Sequence, residues 1–190
     1  MAAAKALMSE GDRSVFDLNT NYFSLFSLLP DFKINLSELK ESYLGLQQEC
    51  HPDRYANGSE ADQRQAVQQT AFLNQAYQTL NSPLRRAIYL LELQAVDFNP
   101  DSQTHTDTVF LMSQLELREQ LEAVEEAADP FVELEQLLAK AEDEYLVYQD
   151  EFVRNYDAHH WNGAIEGIHK MMFASKFLEE IRLKEEVLDS

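Results

Sequence analysis

The chain has 190 residues, with 15 Lys and Arg against 34 Asp and Glu, which gives a formal net charge of −19. Its 45% content of hydrophobic residues is enough for a buried core and excludes a wholly disordered chain. The strong acidity excludes general binding to DNA or RNA, because nothing would offset the repulsion of the phosphates. We therefore expect one or two folded domains and no nucleic-acid partner.

The content of glycine, proline and cysteine narrows the class further. Five Gly and five Pro are too few for an all-β protein rich in turns. The one cysteine, Cys50, cannot form an intramolecular disulfide framework or a four-thiolate zinc site. No apolar run approaches the roughly 20 residues that a membrane-spanning helix needs. These features predict an all-α cytoplasmic protein with no membrane partner, no bound metal and no cofactor.

The sequence pattern of the first 50 residues predicts a tail followed by two helices. Residues 1–19 show no apolar periodicity and predict a flexible tail. A short apolar helix then begins near Tyr22 and ends before Pro30. Asn35 and Glu38 stand three apart, as in a capping box, and begin a helix of about four turns. The apolar stripe of that helix consists of Leu36, Leu39, Tyr43, Leu46 and Cys50.

A proline turn separates this helix from the next one. His51-Pro52 ends the helix, because proline disfavours the helical conformation of the residue before it and donates no hydrogen bond. Ser59 with Asp62 can cap a second helix, and Ser82 can cap a further short one. We expect the two long helices to form an antiparallel hairpin, because their stripes must face each other. The stripe predicted to be buried on the second helix consists of Val67, Ala71, Asn74, Tyr77 and Leu80.

The sequence pattern of residues 95–190 predicts a linker followed by a helical bundle. Residues 95–106 contain Asn-Pro-Asp-Ser and no periodicity, and they predict the linker. Helical patterns follow over about 107–127, 130–159 and 161–188. A three-helix bundle is the economical way to bury the apolar stripes of these helices. We therefore expect the second domain to cover residues 107–190.

Charge divides the chain at the same linker. Residues 20–94 carry six basic and eight acidic side chains, whereas residues 95–190 carry seven basic and 23 acidic ones. The net charge is therefore −2 in the first part and −16 in the second. This asymmetry predicts that the domains 20–94 and 107–190 have different electrostatic roles.

The tripeptide His51-Pro52-Asp53 lies at the tip of the predicted hairpin and carries most of the functional information. With its surroundings it resembles a J domain, the module by which co-chaperones stimulate DnaK-class ATPases. The motifs that carry the resemblance are Tyr-Phe-x-Leu-Phe from Tyr22, His51-Pro52-Asp53, Asn74-x-Ala76-Tyr77-x-x-Leu80 and Ser82-Pro83-Leu84-Arg85-Arg86-Ala87-x-Tyr89. The resemblance implies that this tripeptide contacts the ATPase, with help from Arg54 and from Lys40 on the preceding helix.

The second half of the chain resembles the HscB family of co-chaperones from bacterial iron–sulfur cluster assembly. The matching segment is Asp107-Thr108-x-Phe110-Leu111-Met112-x-Gln114-Leu115-Glu116-Leu117-Arg118-Glu119. In that family the J domain engages HscA, a specialised DnaK-class ATPase, and the bundle holds the scaffold protein IscU. The resemblance therefore implies an adaptor without catalytic activity, which we expect to be a monomer.

The helix that begins near Phe110 has two apolar faces. At ~100° per residue, Phe110, Leu117, Leu121 and Val124 form a core stripe, and a second apolar group lies on the other side. Either another part of the chain covers that group, or it is a partner groove with an acidic rim. By resemblance, the positions that bind IscU are Leu111, Met112, Leu115, Glu116, Glu119 and, on the last helix, Phe173.

Three other functions are compatible with the residues alone. One is a general J-domain co-chaperone for unfolded clients. Another is a hydrolase that uses His51 and Asp53 as an acid–base pair. The third is a metal enzyme that uses His159 and His160, although adjacent helical positions diverge by ~100° and favour a simple polar helix end.

Overall fold

A computed structural model describes residues 15–56, 58–100 and 108–189 of the chain. Within these ranges the regular structure is entirely helical, which confirms the predicted all-α class. Most of the predicted tail, the end of the predicted linker, Asn57 and the first residue of the bundle pattern lie outside the described residues. The α-helices are α1 (Tyr22–Leu25), α2 (Leu36–Cys50), α3 (Glu60–Asn81), α4 (Pro83–Leu93), α5 (Thr108–Ala123), α6 (Pro130–Asp157) and α7 (Trp161–Leu188).

The helix starts follow the capping signals of the sequence. The Asn35 side chain accepts from the backbone N–H groups of Ser37 and Glu38 at the start of α2. Ser59 and Asp62 form a reciprocal capping box at the start of α3, as their spacing predicts. The Asp129 carboxylate accepts from an N–H in the first turn of α6. These bonds satisfy backbone donors that have no partner within their own helix.

The chain separates into two compact units, residues 1–86 and 87–190, and the division falls inside α4. In the first unit α2 and α3 form an antiparallel hairpin. The Tyr43 ring of α2 stacks on the Tyr77 ring of α3 with 4.1 Å between ring centres. The Thr70 hydroxyl, about two turns before Tyr77 in α3, donates to the Cys50 carbonyl at the end of α2. The predicted hairpin is therefore present, with the proline turn at its tip.

The buried face of α3 differs from the predicted stripe. Leu80 is buried as predicted and Tyr77 is half-buried, but Val67 and Ala71 are exposed. The prediction was wrong because α3 packs against α1, α2 and the proline turn together, so its burial is not set by a single facing helix. The residues that the structure buries on α3 are Ala66, Gln69, Leu73, Ala76 and Leu80.

Phe16, the second of the described residues and part of the predicted tail, contacts the hairpin. Its ring lies 6.0 Å from the Phe72 ring, and its carbonyl oxygen accepts from the Gln69 side chain at 3.2 Å. Gln69 is almost completely buried, so this bond supplies a partner that its amide needs in the core. The packed part of the first unit therefore begins before residue 20.

The second unit contains a bundle of α5, α6 and α7. The predicted core stripe of α5 is confirmed, since Phe110, Leu117, Leu121 and Val124 are all buried. On α7 the sequence spacing of Ile165, Ile168 and Met172 predicts one core stripe, and of these three residues only Ile168 is fully buried. Ile165 and Met172 are half-buried, and Met171 is the fully buried methionine. The core cluster consists of Leu117, Leu121, Val124, Leu134, Leu137, Ala141, Phe177, Leu178 and Ile181.

Helices α5 and α6 end earlier than the sequence pattern suggests. Helix α5 ends at Ala123 and continues as a short 3-10 turn through Glu126. Helix α6 ends at Asp157, and His159 adopts a left-handed conformation with φ 55°. The His160 N–H then donates to the Asn155 carbonyl, the bond of a Schellman-type helix end. His159 and His160 therefore belong to the turn between α6 and α7.

The two helical glycines Gly45 and Gly167 have opposite surroundings, and we expect opposite effects when each is replaced by alanine. A Cβ at Gly45 in α2 would meet nothing within 4 Å, whereas a Cβ at Gly167 in α7 would lie 3.1 Å from the backbone of Phe152 in α6. Gly45→Ala should raise the free energy of unfolding by about 0.5–1 kcal/mol, the difference in helix propensity. Gly167→Ala should lower it, because the backbone of α6 must move.

Chemical denaturation of the two variants and the wild type measures both effects. Each variant serves as the control for the other, since both make the same chemical change in the middle of a helix. Stabilisation by Gly167→Ala would show that α6 and α7 tolerate wider separation than their packing implies.

Candidate functional site

The end of α2 exposes four backbone carbonyls that have no partner within the helix. Pro52 prevents the helix from continuing and offers no N–H of its own. Instead, side chains from the turn and from α3 close the helix end. Arg54 Nη1 donates to the Gln48 carbonyl at 3.1 Å, and the Tyr55 hydroxyl donates to the Glu49 carbonyl at 3.3 Å.

The last carbonyl of the helix connects the turn to α3. The Thr70 hydroxyl donates to the Cys50 carbonyl at 3.2 Å. The Cys50 thiol itself lies 4.0 Å from the Gln47 carbonyl, so each of the final four carbonyls has a side-chain donor. The roles of Tyr55 and Thr70 are not visible in the sequence, because nothing in the local pattern shows which donors lie near these carbonyls.

His51-Pro52-Asp53 follows this helix end and enters a 3-10 turn that spans Pro52–Tyr55. The Asp53 N–H donates to His51 Nδ1 at 3.3 Å, which requires an unprotonated Nδ1 and leaves the ring proton on Nε2. The side chains of His51 and Asp53 are 49% and 90% exposed. The turn therefore holds its backbone with local bonds while it presents an imidazole and a carboxylate to solvent.

The two basic residues predicted to assist the tripeptide differ in their environment. Lys40 is exposed on α2, about three turns before the tripeptide. Arg54 is exposed as well, but its guanidinium also contributes to the end of α2 through Gln48. Arg54 therefore stabilises the end of α2 through a hydrogen bond and also places a positive charge at the turn. Lys40 contributes an exposed positive charge on α2.

Cys50 lies next to His51 but does not form a thiol–imidazole pair. Its side chain is fully buried in the hairpin and within 3.8 Å of the Thr70 hydroxyl. Burial raises the pKa of the Cys50 thiol above its ordinary value, and the neighbouring charge of Glu49 acts in the same direction. Cys50 therefore remains a protonated core residue and not a nucleophile.

The second candidate site is the face of α5 that points away from the core of the bundle. Leu111 is 43% exposed, Met112 60% and Leu115 58%, so α6 and α7 do not cover them. Glu116 and Glu119 are exposed on the same helix and lie within the same half of its circumference. The sequence-derived division of α5 into a buried and an exposed apolar face is confirmed.

Phe173 of α7 contacts α5 at Phe110, a residue of the buried stripe. Its side chain is half-buried, and its ring meets the Phe110 ring edge-on at 5.6 Å. Phe110 belongs to the buried stripe of α5, and Leu111 follows it about 100° further around the helix. The structure therefore brings Phe173 of α7 into contact with Phe110, the residue that precedes Leu111 in α5.

Arg118 is a residue at this face that sequence reasoning did not identify. It lies seven residues after Leu111, hence on the same side of α5. Its Nε is 3.4 Å from a carboxylate oxygen of Glu180 on α7, and both side chains are about one-third exposed. This ion pair spans 62 residues of sequence, so only the packed bundle reveals it.

The described residues contain neither a metal-binding cluster nor a membrane-spanning helix. No group of three or more His, Cys, Asp or Glu side chains there could hold a metal ion. Among the described helices, none has the length and apolar character needed to cross a membrane.

Comparison with known families matches both parts of the chain. The DnaJ domain model matches residues 21–89. The model of the HscB C-terminal oligomerisation domain matches residues 106–182. The first match contains the proline turn, and the second contains the exposed face of α5.

Individual proteins give the same result over most of the chain. The co-chaperone protein HscB of Proteus mirabilis is 39% identical over 168 residues, which cover 88% of this chain and 97% of that protein. The structure of the chaperone HscB from Vibrio cholerae has a TM-score of 0.81 at 40% identity and covers 89% of this chain and 99% of its own. Human co-chaperone HscB has the same TM-score at 25% identity, with 89% and 84% covered. The chain belongs to the HscB family of J-domain co-chaperones.

Proposed function

We propose that this co-chaperone stimulates the ATPase of the DnaK-class chaperone HscA and delivers the iron–sulfur scaffold protein IscU to it. The family assignment implies a DnaK-class partner, and the HscB relatives connect the chain to iron–sulfur cluster assembly. The observation that carries the proposal is the exposed apolar face of α5, which the bundle does not need for its own packing. The chain acts as a monomeric adaptor in the bacterial cytoplasm, with the functional parts 20–94 and 107–190 on either side of a linker at 95–106.

The first arm of the proposal is a contact that depends on the state of the ATPase. A module that binds one conformation of a two-state ATPase better than the other shifts the equilibrium by that difference in affinity. His51 and Asp53 fit this task because they are exposed, and because the turn limits their movement. The imidazole can donate from Nε2, and the carboxylate can accept from Arg or from backbone N–H groups. Lys40 and Arg54 add positive charge that would attract an acidic surface of the ATPase.

The second arm is the capture of IscU on the scaffold face, which we define as Leu111, Met112, Leu115, Glu116, Glu119 and Phe173. Aliphatic and aromatic side chains at the centre of an interface supply most of its affinity. The exposed carboxylates beside them would steer a partner with basic residues around an apolar centre. This arrangement supports a specific and exchangeable interface better than the broad, adaptable surface that a general co-chaperone for unfolded clients would present.

His51→Gln should abolish stimulation of the HscA ATPase and leave scaffold binding unchanged. Glutamine removes the imidazole from the turn, but its amide oxygen can still accept from the Asp53 N–H. Because the side chain is half-exposed, the free energy of unfolding should change by less than about 0.5 kcal/mol. The measurement is steady-state ATP hydrolysis by HscA with and without IscU, together with denaturation of the variant.

Arg64→Gln is the matched control for His51→Gln. Arg64 is an exposed residue of α3 that forms only a weak surface pair with Glu60 at 3.9 Å. This variant should stimulate like the wild type. Normal stimulation by His51→Gln would refute the role assigned to the tripeptide.

Combining Leu111→Ala, Leu115→Ala and Phe173→Ala should weaken the affinity for IscU by about 3 kcal/mol or more, if these residues are central anchors. The two leucines are exposed in the unbound protein, so their replacement should cost the bundle little stability. Isothermal titration calorimetry with purified IscU gives the affinity, and circular dichroism verifies the helical fold.

A second triple variant with Leu146→Ala, Leu183→Ala and Val187→Ala serves as the control. These three side chains are also large, apolar and exposed on the bundle, but they lie outside the scaffold face. Affinity should be retained in this control. If the scaffold-face variant stays folded and binds IscU as tightly as the wild type, those residues have no role in capture.

Glu116→Gln combined with Glu119→Gln should slow association with IscU and reduce its dependence on salt. Exposed interfacial charges act mainly on the association rate and are screened within about 8 Å at physiological ionic strength. Stopped-flow association at about 0.05 M and about 0.5 M salt should show a smaller ratio of rates for this variant than for the wild type. Glu185→Gln with Glu186→Gln, two exposed acids near the end of α7, is the control. Equal salt dependence in all three proteins would show that Glu116 and Glu119 do not steer IscU.

A further inference from the structure

Lys170 of α7 occupies an unusual place for a lysine in the bundle. Its side chain is only 15% exposed, and Nζ lies 3.1 Å from Glu151 of α6 and 3.4 Å from Glu166 of α7. The same Nζ is 5.9 Å from the ring centre of Phe110 and 5.9 Å from that of Tyr148. One ammonium group therefore contacts residues from all three helices of the bundle.

The rings around Lys170 form a connected group with Phe110 at its centre. Tyr148 of α6 meets the Phe110 ring edge-on at 5.8 Å and 80°. Phe173 of α7 meets the Phe110 ring at 5.6 Å and 75°. Phe110 itself is buried, whereas Phe173 is half-buried at the scaffold face. The position of the Phe173 ring is thus coupled to the orientation of a buried ring that Lys170 contacts.

Lys170 keeps its charge in this setting. Burial would lower the pKa of the ammonium, but the hydrogen bond and charge of Glu151, with those of Glu166, more than offset burial and raise the pKa above 10.5. A permanently charged ammonium is attracted to the faces of aromatic rings, and partial burial strengthens this attraction. Loss of the charge would release the rings and leave two carboxylates close together without a cation.

The geometry points to Lys170 as a positioning residue for the scaffold face: through Phe110 it holds the Phe173 ring in the orientation in which that ring contacts the scaffold. This inference rests on the proposed capture of IscU at that face. Lys170 lies one helical turn before Phe173 on α7 and is mostly buried, so its effect on the partner passes through the rings. A purely structural ion pair would stabilise the bundle without any consequence for Phe173.

Two variants of Lys170 separate these possibilities. Lys170→Met keeps most of the aliphatic side chain and removes the charge, whereas Lys170→Arg keeps a cation that can pair with carboxylates and stack on rings. In the isolated protein, the aromatic NMR resonances of Phe110 and Phe173 should shift in Lys170→Met and return toward wild-type values in Lys170→Arg. Calorimetry should show that Lys170→Met binds IscU about three- to tenfold more weakly, a size typical of one partly buried cation–π contact, with recovery in Lys170→Arg.

Lys184→Met is the matched control on the same helix. Lys184 is also partly buried and pairs with Glu125, four turns beyond Lys170, away from Phe110 and Phe173. Lys184→Met should lower the stability of the bundle, but it should leave the Phe173 resonances and the affinity for IscU unchanged. If Lys170→Met unfolds the bundle, Glu151→Gln replaces it, since a neutral amide holds the ammonium less firmly and should shift the same resonances by a smaller amount.

The outcomes distinguish this inference from the proposed function. Unchanged Phe173 resonances in Lys170→Met, or unchanged affinity beside a wild type that binds IscU, would overturn the positioning role. Equal weakening by Lys184→Met would also overturn it, because stability alone would then explain the loss. If the wild type itself fails to bind IscU, capture at this face is refuted, and the ring resonances still decide whether Lys170 orients Phe173.

Discussion

The tripeptide turn depends on how the carbonyl end of α2 is closed. A helix that stops at a proline leaves its last carbonyls without partners inside the helix, so they accept from side chains or from water. Arg54 and Tyr55 supply two donors from within the turn, and Thr70 supplies another from α3. The bonds fold the turn back on the helix it follows. An exposed segment, of a kind that is usually mobile, is thereby attached to the hairpin at several points.

The scaffold face has a different origin, because α5 carries apolar residues on two sides and only one side can face the core of the bundle. The buried side of α5 is committed to the core of the bundle through Phe110, Leu117 and Leu121. Leu111 and Leu115 remain largely exposed, and an exposed apolar group of this kind normally marks an interaction site. A large negative charge around it keeps such a surface soluble while no partner is bound.

The two units also differ in how their charged side chains are used. Of the seven basic residues after residue 95, Arg118, Lys170 and Lys184 pair with carboxylates from other segments of the bundle. The exposed surface there is left strongly acidic. Around the proline turn, by contrast, Lys40 and Arg54 are exposed cations. The two parts of the chain therefore differ in surface charge, with exposed cations beside the proline turn and a strongly acidic surface on the bundle.

The sequence alone determined the features that arise within about one helical turn. The cap at Asn35, the capping box at Ser59, the proline stop after His51 and the two faces of α5 were all predicted correctly, because each depends on residues at most about one helical turn apart. Only the tertiary structure decided which face of α3 is buried and which donors close α2. It also decided how the Phe173 ring is held. The bonds of Thr70 with Cys50 and of Arg118 with Glu180 join residues 20 and 62 positions apart, and the periodicity of a single helix contains no information about its neighbours.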